Sequence, residues 1–128
     1  MTQIIATDLA PQAVGTYSQA VRAGDTVYVS GQVPLEPETM ALVSDQFDAQ
    51  ARQVFKNLSA ICEAAGGSLA QCVKLTVYPT DLGEFAGLNE VMQDFIVEPY
   101  PARAAIEVSA LPKDSKIEID AIMYLGDG

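Results

Sequence analysis

Near the C-terminus, Lys116 to Leu125 alternates with a strict period of two, and this constrains the chain more than any other segment because such a run can pleat in only one way. Successive side chains of a strand point to opposite sides, so Ile117, Ile119, Ala121, Met123 and Leu125 share one face and Glu118, Asp120, Ile122 and Tyr124 the other. The first face is wholly apolar and needs a cover. The second sets two carboxylates beside a large aliphatic and an aromatic side chain, a composition poorly suited to open water and well suited to a subunit interface. Association with further copies of the chain is therefore expected.

Two helical stripes supply the cover. From Phe47 the apolar positions Ala51, Val54, Phe55, Leu58, Ile61 and Cys62 recur at helical spacing, with Ser44 or Asp45 as the expected cap and Gly66-Gly67 as the stop. Leu82, Phe85, Leu88, Met92, Phe95 and Ile96 mark a second helix, opened by Asp81 with Glu84 three residues on and ended by Pro99-Tyr100-Pro101. Met1 to Ala6 reads as a short strand, and Ala20 to Ala23 with Thr26 to Ser30 as a hairpin around Gly24-Asp25. Gly31 to Val43, with Pro34 and Pro37, reads as a long loop. Cys72 to Tyr78 is a strand with Val73, Leu75 and Val77 on one face, and Ala104 to Val108 a strand expected to pair with the last one. The order β-β-β-α-β-α-β-β is that of an α+β layer whose two helices cover one sheet face. A chain of 128 residues, 49% apolar, suits a single domain over 1–128.

Charge and residue usage narrow the chemistry. The net charge of −10, with seven Lys and Arg in all, repels a phosphate backbone, so nucleic acid is not an expected partner. There is no histidine, which removes the usual general base at neutral pH and the commonest metal ligand. Cys62 and Cys72 have neither a metal-type spacing nor the number for a disulfide framework, and are expected to be reduced and buried. No stretch is long and apolar enough for a membrane span, and Met1-Thr2-Gln3 does not open a secretion signal; a cytoplasmic location is expected.

Catalysis must then run on the groups that remain. Arg103, placed by parity with Ala105 and Glu107, follows a proline turn and can fork onto a carboxylate through two charge-assisted hydrogen bonds, or else form a surface or interface ion pair. Glu118 is either a solvated strand carboxylate or, in a drier cleft beside Asp120, an acid-base group with a raised pKa. Tyr17 and Ser30 can orient a ligand or satisfy loop backbone, and Asn89 interrupts the second helix stripe either as a pocket amide or as a surface one.

Several segments at once carry a resemblance: Ala10-Pro11-Gln12-Ala13-Val14-Gly15-Thr16-Tyr17-Ser18-Gln19-Ala20, Val29-Ser30-Gly31-Gln32-Val33-Pro34, Gln50-Ala51-Arg52-Gln53 with Asn57-Leu58, Val73-Lys74-Leu75-Thr76-Val77, Leu88-Asn89, Pro101-Ala102-Arg103, Leu111-Pro112-Lys113-Asp114 and Lys116-Ile117-Glu118-Ile119-Asp120-Ala121. Together they resemble the Rid (reactive intermediate deaminase, YjgF-like) family from Ile4 to Leu125. The resemblance implies a chorismate-mutase-like fold, a homotrimer with a central β-barrel and three inter-subunit clefts, and no metal or organic cofactor. It implies that Arg103 holds the carboxylate of a small enamine or imine acid such as 2-aminoacrylate, 2-iminopropanoate or 2-iminobutanoate. Glu118 then activates water, and Tyr17, Ser30, Gly31, Asn89 and Ala105 shape the pocket; the products are a 2-keto acid and ammonia. Ala105 stands where many members have cysteine, and Ile96 to Tyr100 is shorter than in many. The competing reading is a non-catalytic trimer on the same fold that binds keto acids or acts as a holdase. A deaminase for longer diacids, an endoribonuclease and a chorismate mutase all ask for more positive charge than this chain carries.

Overall fold

A computed structural model describes residues 2–126, and among them the expected element order is present: β1 (Thr2–Ile5), β2 (Ala20–Ala23), β3 (Thr26–Gln32), α1 (Phe47–Ala64), β4 (Cys72–Pro79), α2 (Phe85–Phe95), β5 (Ala102–Ala105) and β6 (Ile117–Tyr124). Met1, read as the start of the first strand, and the last two positions of the 1–128 span lie outside the described residues. The six strands make one mixed sheet in the order β1-β2-β3-β6-β4-β5, antiparallel except for the β4-β5 edge.

The most strictly alternating segment occupies the interior of this sheet, with β6 flanked by β3 and β4. Its apolar face, Ile117, Ile119, Ala121 and Met123, is buried under the helices together with Val27, Val29, Leu75 and Val77. The helices meet through Phe55 and Phe95, whose rings stack at 5.4 Å. Core packing thus holds α2 against α1.

Several expectations are corrected, each for a local reason. The penultimate strand does not pair with the last: β5 runs parallel to β4, two residues earlier than expected, because β4-α2-β5 is a β-α-β crossover and such units close in parallel. Val73 leaves the core face and is 50% exposed, because the register with β6 shifts between Cys72 and Lys74; the extra residue lets Cys72 take the buried place. Ser30 does not end its strand, which continues to Gln32. The N-cap of α1 is Gln46, whose N–H is accepted one residue before the helix by Ser44 Oγ at 3.0 Å. In the second stripe Val91 is buried while Leu82 is exposed, since Leu82 lies in the short 3₁₀ turn that Asp81 caps. The expected stop of α1 holds: Gly66, at φ +95°, donates to Glu63 O and Gly67 to Cys62 O, a paired closure that needs a left-handed residue.

Buried amides on α1 hold the long loop in place. Gln50 Oε1 accepts Lys116 N–H at 2.7 Å while its Nε2 donates to Ser44 O, and Asn57 Nδ2 donates to Val33 O and Leu35 O. Cys62 and Cys72 are free, buried, and 3.8 Å apart at sulfur. Among the described residues no helix is long and apolar enough to cross a membrane.

Across the face that the helices leave open, the register aligns Ile4, Val21, Tyr28 and Ile122 in one row over four strands. Ile4 is 60% and Tyr28 52% exposed. Single exposed apolar side chains need no explanation, but a contiguous row across a sheet does.

Candidate functional site

The predicted residues fall into two groups. The first gathers around Glu118 on the open face. Between Val29 and Gln32 the β3 register against β6 slips by one residue, from Ala121 to Ile119, so Ser30 and Gly31 form a bulge. A bulge re-aims its neighbours, and here it brings the bare Cα of Gly31 against Glu118: a methyl group at that position would lie 2.9 Å from Glu118 Cδ and 3.2 Å from Cγ. Half-buried there, Glu118 binds its proton more tightly than an ordinary glutamate, first because burial penalises the charge and then because Asp120 is near. Asp120 Oδ2 in turn accepts the Tyr78 hydroxyl at 2.9 Å, which raises the phenol's proton affinity.

Ser30 joins this group to the N-terminal loop. Its Oγ donates to Ser18 O at 2.6 Å and its N–H to Gln19 O. Tyr17 is exposed on that loop, its hydroxyl accepting Val14 N–H at 3.3 Å. The loop keeps its shape through Gln19, not one of the expected site residues: buried, it accepts Thr7 N–H and donates to Thr7 O, Ala10 O and Pro11 O. A polar residue one position before the buried Ala20 that opens β2 was the available signal.

Gly31→Ala tests how much the close approach matters. The added methyl forces the Glu118 side chain to turn aside rather than the backbone to open, so the variant is expected to fold and to lose about 100-fold in any Glu118-dependent rate, the scale of a misplaced catalytic group. Steady-state kinetics beside a thermal melt check it; an unchanged rate would show that Glu118's position is not critical.

The second group gathers around Arg103, on the helix side of the sheet. Arg103 pairs in register with buried Leu75, and Ala105 with buried Val77, which fixes their face. Arg103 Nη1 donates to Asn89 Oδ1 at 2.8 Å and to Met92 Sδ at 3.4 Å, and the guanidinium carbon lies 5.1 Å from the centre of the Phe85 ring. Asn89, Met92, Gln93, Ile96, Tyr100, Pro101 and Arg103 line a cavity of about 570 Å³, roomy for a three- or four-carbon acid. A separate depression of about 460 Å³, between Leu9 and the outer face of α1, is reached by none of the predicted residues.

The two groups do not meet within the chain. Glu118 pairs with Tyr78 and Arg103 with Leu75, which places them two strands apart across the sheet and three residues apart along it, about 10 Å in each direction. They also project from opposite faces. The remaining arginines offer no free cation nearby: Arg22 is bound by Asp25, and Arg52 by Asp48 and Asp94.

Comparison with known proteins adds an independent constraint. Residues 7–125 match the family described as Endoribonuclease L-PSP. A 2-iminobutanoate/2-iminopropanoate deaminase of Salmonella typhimurium is 47% identical over 125 residues, covering 95% of this chain and 97% of that one. Among solved structures, RidA from the Antarctic bacterium Psychrobacter is 61% identical with a TM-score of 0.92, covering 95% of this chain and 98% of that one. TdcF of E. coli, solved with bound serine, is 40% identical with a TM-score of 0.89, covering 97% and 99%. Relatives from Pyrococcus horikoshii and Sinorhizobium fredii carry only the RutC family name.

Proposed function

Because the chain belongs to the Endoribonuclease L-PSP family, the one that includes the Rid and YjgF-like proteins, we propose that it hydrolyses small enamine and imine acids to 2-keto acids and ammonia. The observation that carries this reading is the near full-length relative, 47% identical, that bears the 2-iminobutanoate/2-iminopropanoate deaminase name. The chemistry of the two groups agrees with it. Arg103 holds the substrate carboxylate, a role a planar guanidinium fills better than an ammonium. Glu118, with its raised proton affinity, delivers a proton that converts the enamine or imine to an iminium ion and then takes one from the water attacking C2. Glu118 returns that proton to the carbinolamine nitrogen and takes the one on the hydroxyl, so the C–N bond breaks as C=O forms, ammonia leaves and the keto acid remains. Since such imines already hydrolyse in water, positioning plus proton transfer, about 10²- to 10⁴-fold for the latter, is sufficient.

This reading needs a second protomer, because Arg103 and Glu118 lie on opposite faces of one sheet. We take the assembly to be a homotrimer in which the open face, with its row of Ile4, Val21, Tyr28 and Ile122, is covered by other copies, and the cleft draws Glu118, Gly31, Ser30 and Tyr17 from one protomer and Arg103, Asn89 and Ala105 from the next. A reducing compartment such as the cytoplasm suits the two unbridged buried thiols. Longer diacids fit poorly, since both other arginines are held by aspartates. Cleavage of RNA fits poorly with a net charge of −10 and no histidine.

The test is a coupled one. Added to a threonine dehydratase reaction, the purified protein is expected to speed the appearance of 2-oxobutanoate beyond spontaneous hydrolysis of the imine. No acceleration, with 2-oxobutanoate still bound, would favour a keto-acid binder over an enzyme.

A further inference from the structure

Arg103 presents five N–H donors, and the structure commits only some of them. Phe85, Asn89 and Met92 follow one another at i, i+4 and i+7 and so stand on one face of α2. Asn89 Oδ1 and Met92 Sδ both take their hydrogen bonds from Nη1, at 2.8 and 3.4 Å, while Phe85 lies 5.1 Å from the guanidinium centre. Nε and both hydrogens of Nη2 have no partner among the described residues.

We propose that Phe85, Asn89 and Met92 form a positioning cradle that occupies the Nη1 end of Arg103, so that the substrate carboxylate is received side-on, by Nε–H and Nη2–H, rather than end-on by the two Nη groups. This rests on the reading of Arg103 as the carboxylate holder and adds which edge does the holding and what fixes it. Two acceptors on one nitrogen and an aromatic ring against the guanidinium leave little freedom about the last torsion of the side chain. The carboxylate then meets a fork whose direction is set before it arrives, and with it the direction from which C2 faces the water. Met92 contributes through an acceptor on a flexible, apolar side chain, so the cradle holds the cation without placing a carboxylate there to compete with the substrate.

The experiment uses the full chain and 2-oxobutanoate as probe. In ¹⁵N-labelled protein the Arg103 Nε–H resonance is expected to move on titration, saturating with the measured affinity; an Nε–H that stays still while 2-oxobutanoate binds would overturn the side-on arrangement. Calorimetry gives the second arm. Asn89→Ala is expected to weaken binding about tenfold, the scale of one lost hydrogen bond to a charged group. In an Arg103→Lys background, which has no Nη1, it should add almost nothing. An equal loss in both backgrounds would make Asn89 a merely structural residue and refute the cradle. Arg103→Ala separates the two readings: undiminished binding there would remove Arg103 as the carboxylate holder and the cradle's purpose with it, whereas lost binding with a silent Asn89→Ala would refute the cradle alone.

Discussion

Glu118→Gln is expected to lower the rate of imine hydrolysis at least about 100-fold, towards the spontaneous rate, while 2-oxobutanoate binds as before. Glutamine keeps the size and one hydrogen-bonding oxygen of the side chain but cannot shuttle a proton, so the loss should fall on turnover and leave carboxylate recognition at Arg103 alone. The same substitution should stabilise the protein at neutral pH, and the sign follows from the carboxyl's surroundings. Burial, and after it the charge of Asp120, raises the pKa of Glu118 above its ordinary 4.5. Between 4.5 and the folded-state value the native protein binds more protons than the unfolded chain, so stability falls as pH rises through that interval and stays lower above it. A neutral amide does not carry this cost. The variant should therefore melt above the parent at pH 7, with the difference closing as pH drops below the ordinary carboxyl range. A slower enzyme that is also less stable would mean the change had damaged the fold, and a rate left intact would take Glu118 out of the chemistry.

That carboxylate was legible because β6 alternates so strictly: its two faces followed from period alone, and the structure places Ile117, Ile119, Ala121 and Met123 inside and Glu118 and Asp120 on the open side. Val73 shows the limit of the same rule. A single bulge reverses parity, and nothing in Cys72-Val73-Lys74 announces it. The neighbour of β5 could have been read, since strand, helix and strand in succession favour a parallel pair, but Ala102–Ala105 is too short and too uniform to reveal its own faces. Which way Arg103 points was for this reason beyond the sequence; it depends on pairing with Leu75, a register set by tertiary contacts. The amides of Gln50 and Asn57 were visible as polar interruptions of the α1 stripe, seven residues apart on one face, and their use as anchors for the long loop appears only once that loop is folded over them. Gly31 is the most telling case. Motif resemblance marked it as part of the pocket, and the physical reason, a Cβ that would strike Glu118, needs the bulge and the strand opposite to be in place.

The separation of Arg103 and Glu118 on opposite faces leads to the second large effect, a rescue. Arg103→Ala and Glu118→Gln should each be inactive when prepared alone, by loss of the carboxylate fork and of the proton carrier respectively. If each cleft takes its arginine from one protomer and its glutamate from the next, mixing the two variants during assembly regenerates complete clefts. In a closed ring of three, an intact site requires the Arg103→Ala protomer on the glutamate side and the Glu118→Gln protomer on the arginine side; every mixed ring has one such interface among its three, so about one third of the parental activity should return in isolated mixed trimers. Sites built within single protomers would return none, because every chain in the mixture lacks one partner. Co-expression under two affinity tags isolates assemblies that contain both variants, and activity is compared with each variant alone and with the two mixed after assembly as a control. The result distinguishes the architectures sharply, since the prediction on one side is a third and on the other is zero. It also bears on the open face, since a cleft that takes Glu118 from that face brings a neighbour against the side of the sheet that carries the row of Ile4, Val21, Tyr28 and Ile122. A mixture that remains monomeric, or one that forms trimers and recovers nothing, would leave the guanidinium and the carboxyl about 10 Å apart in each of two directions on either side of a sheet, with no common substrate between them.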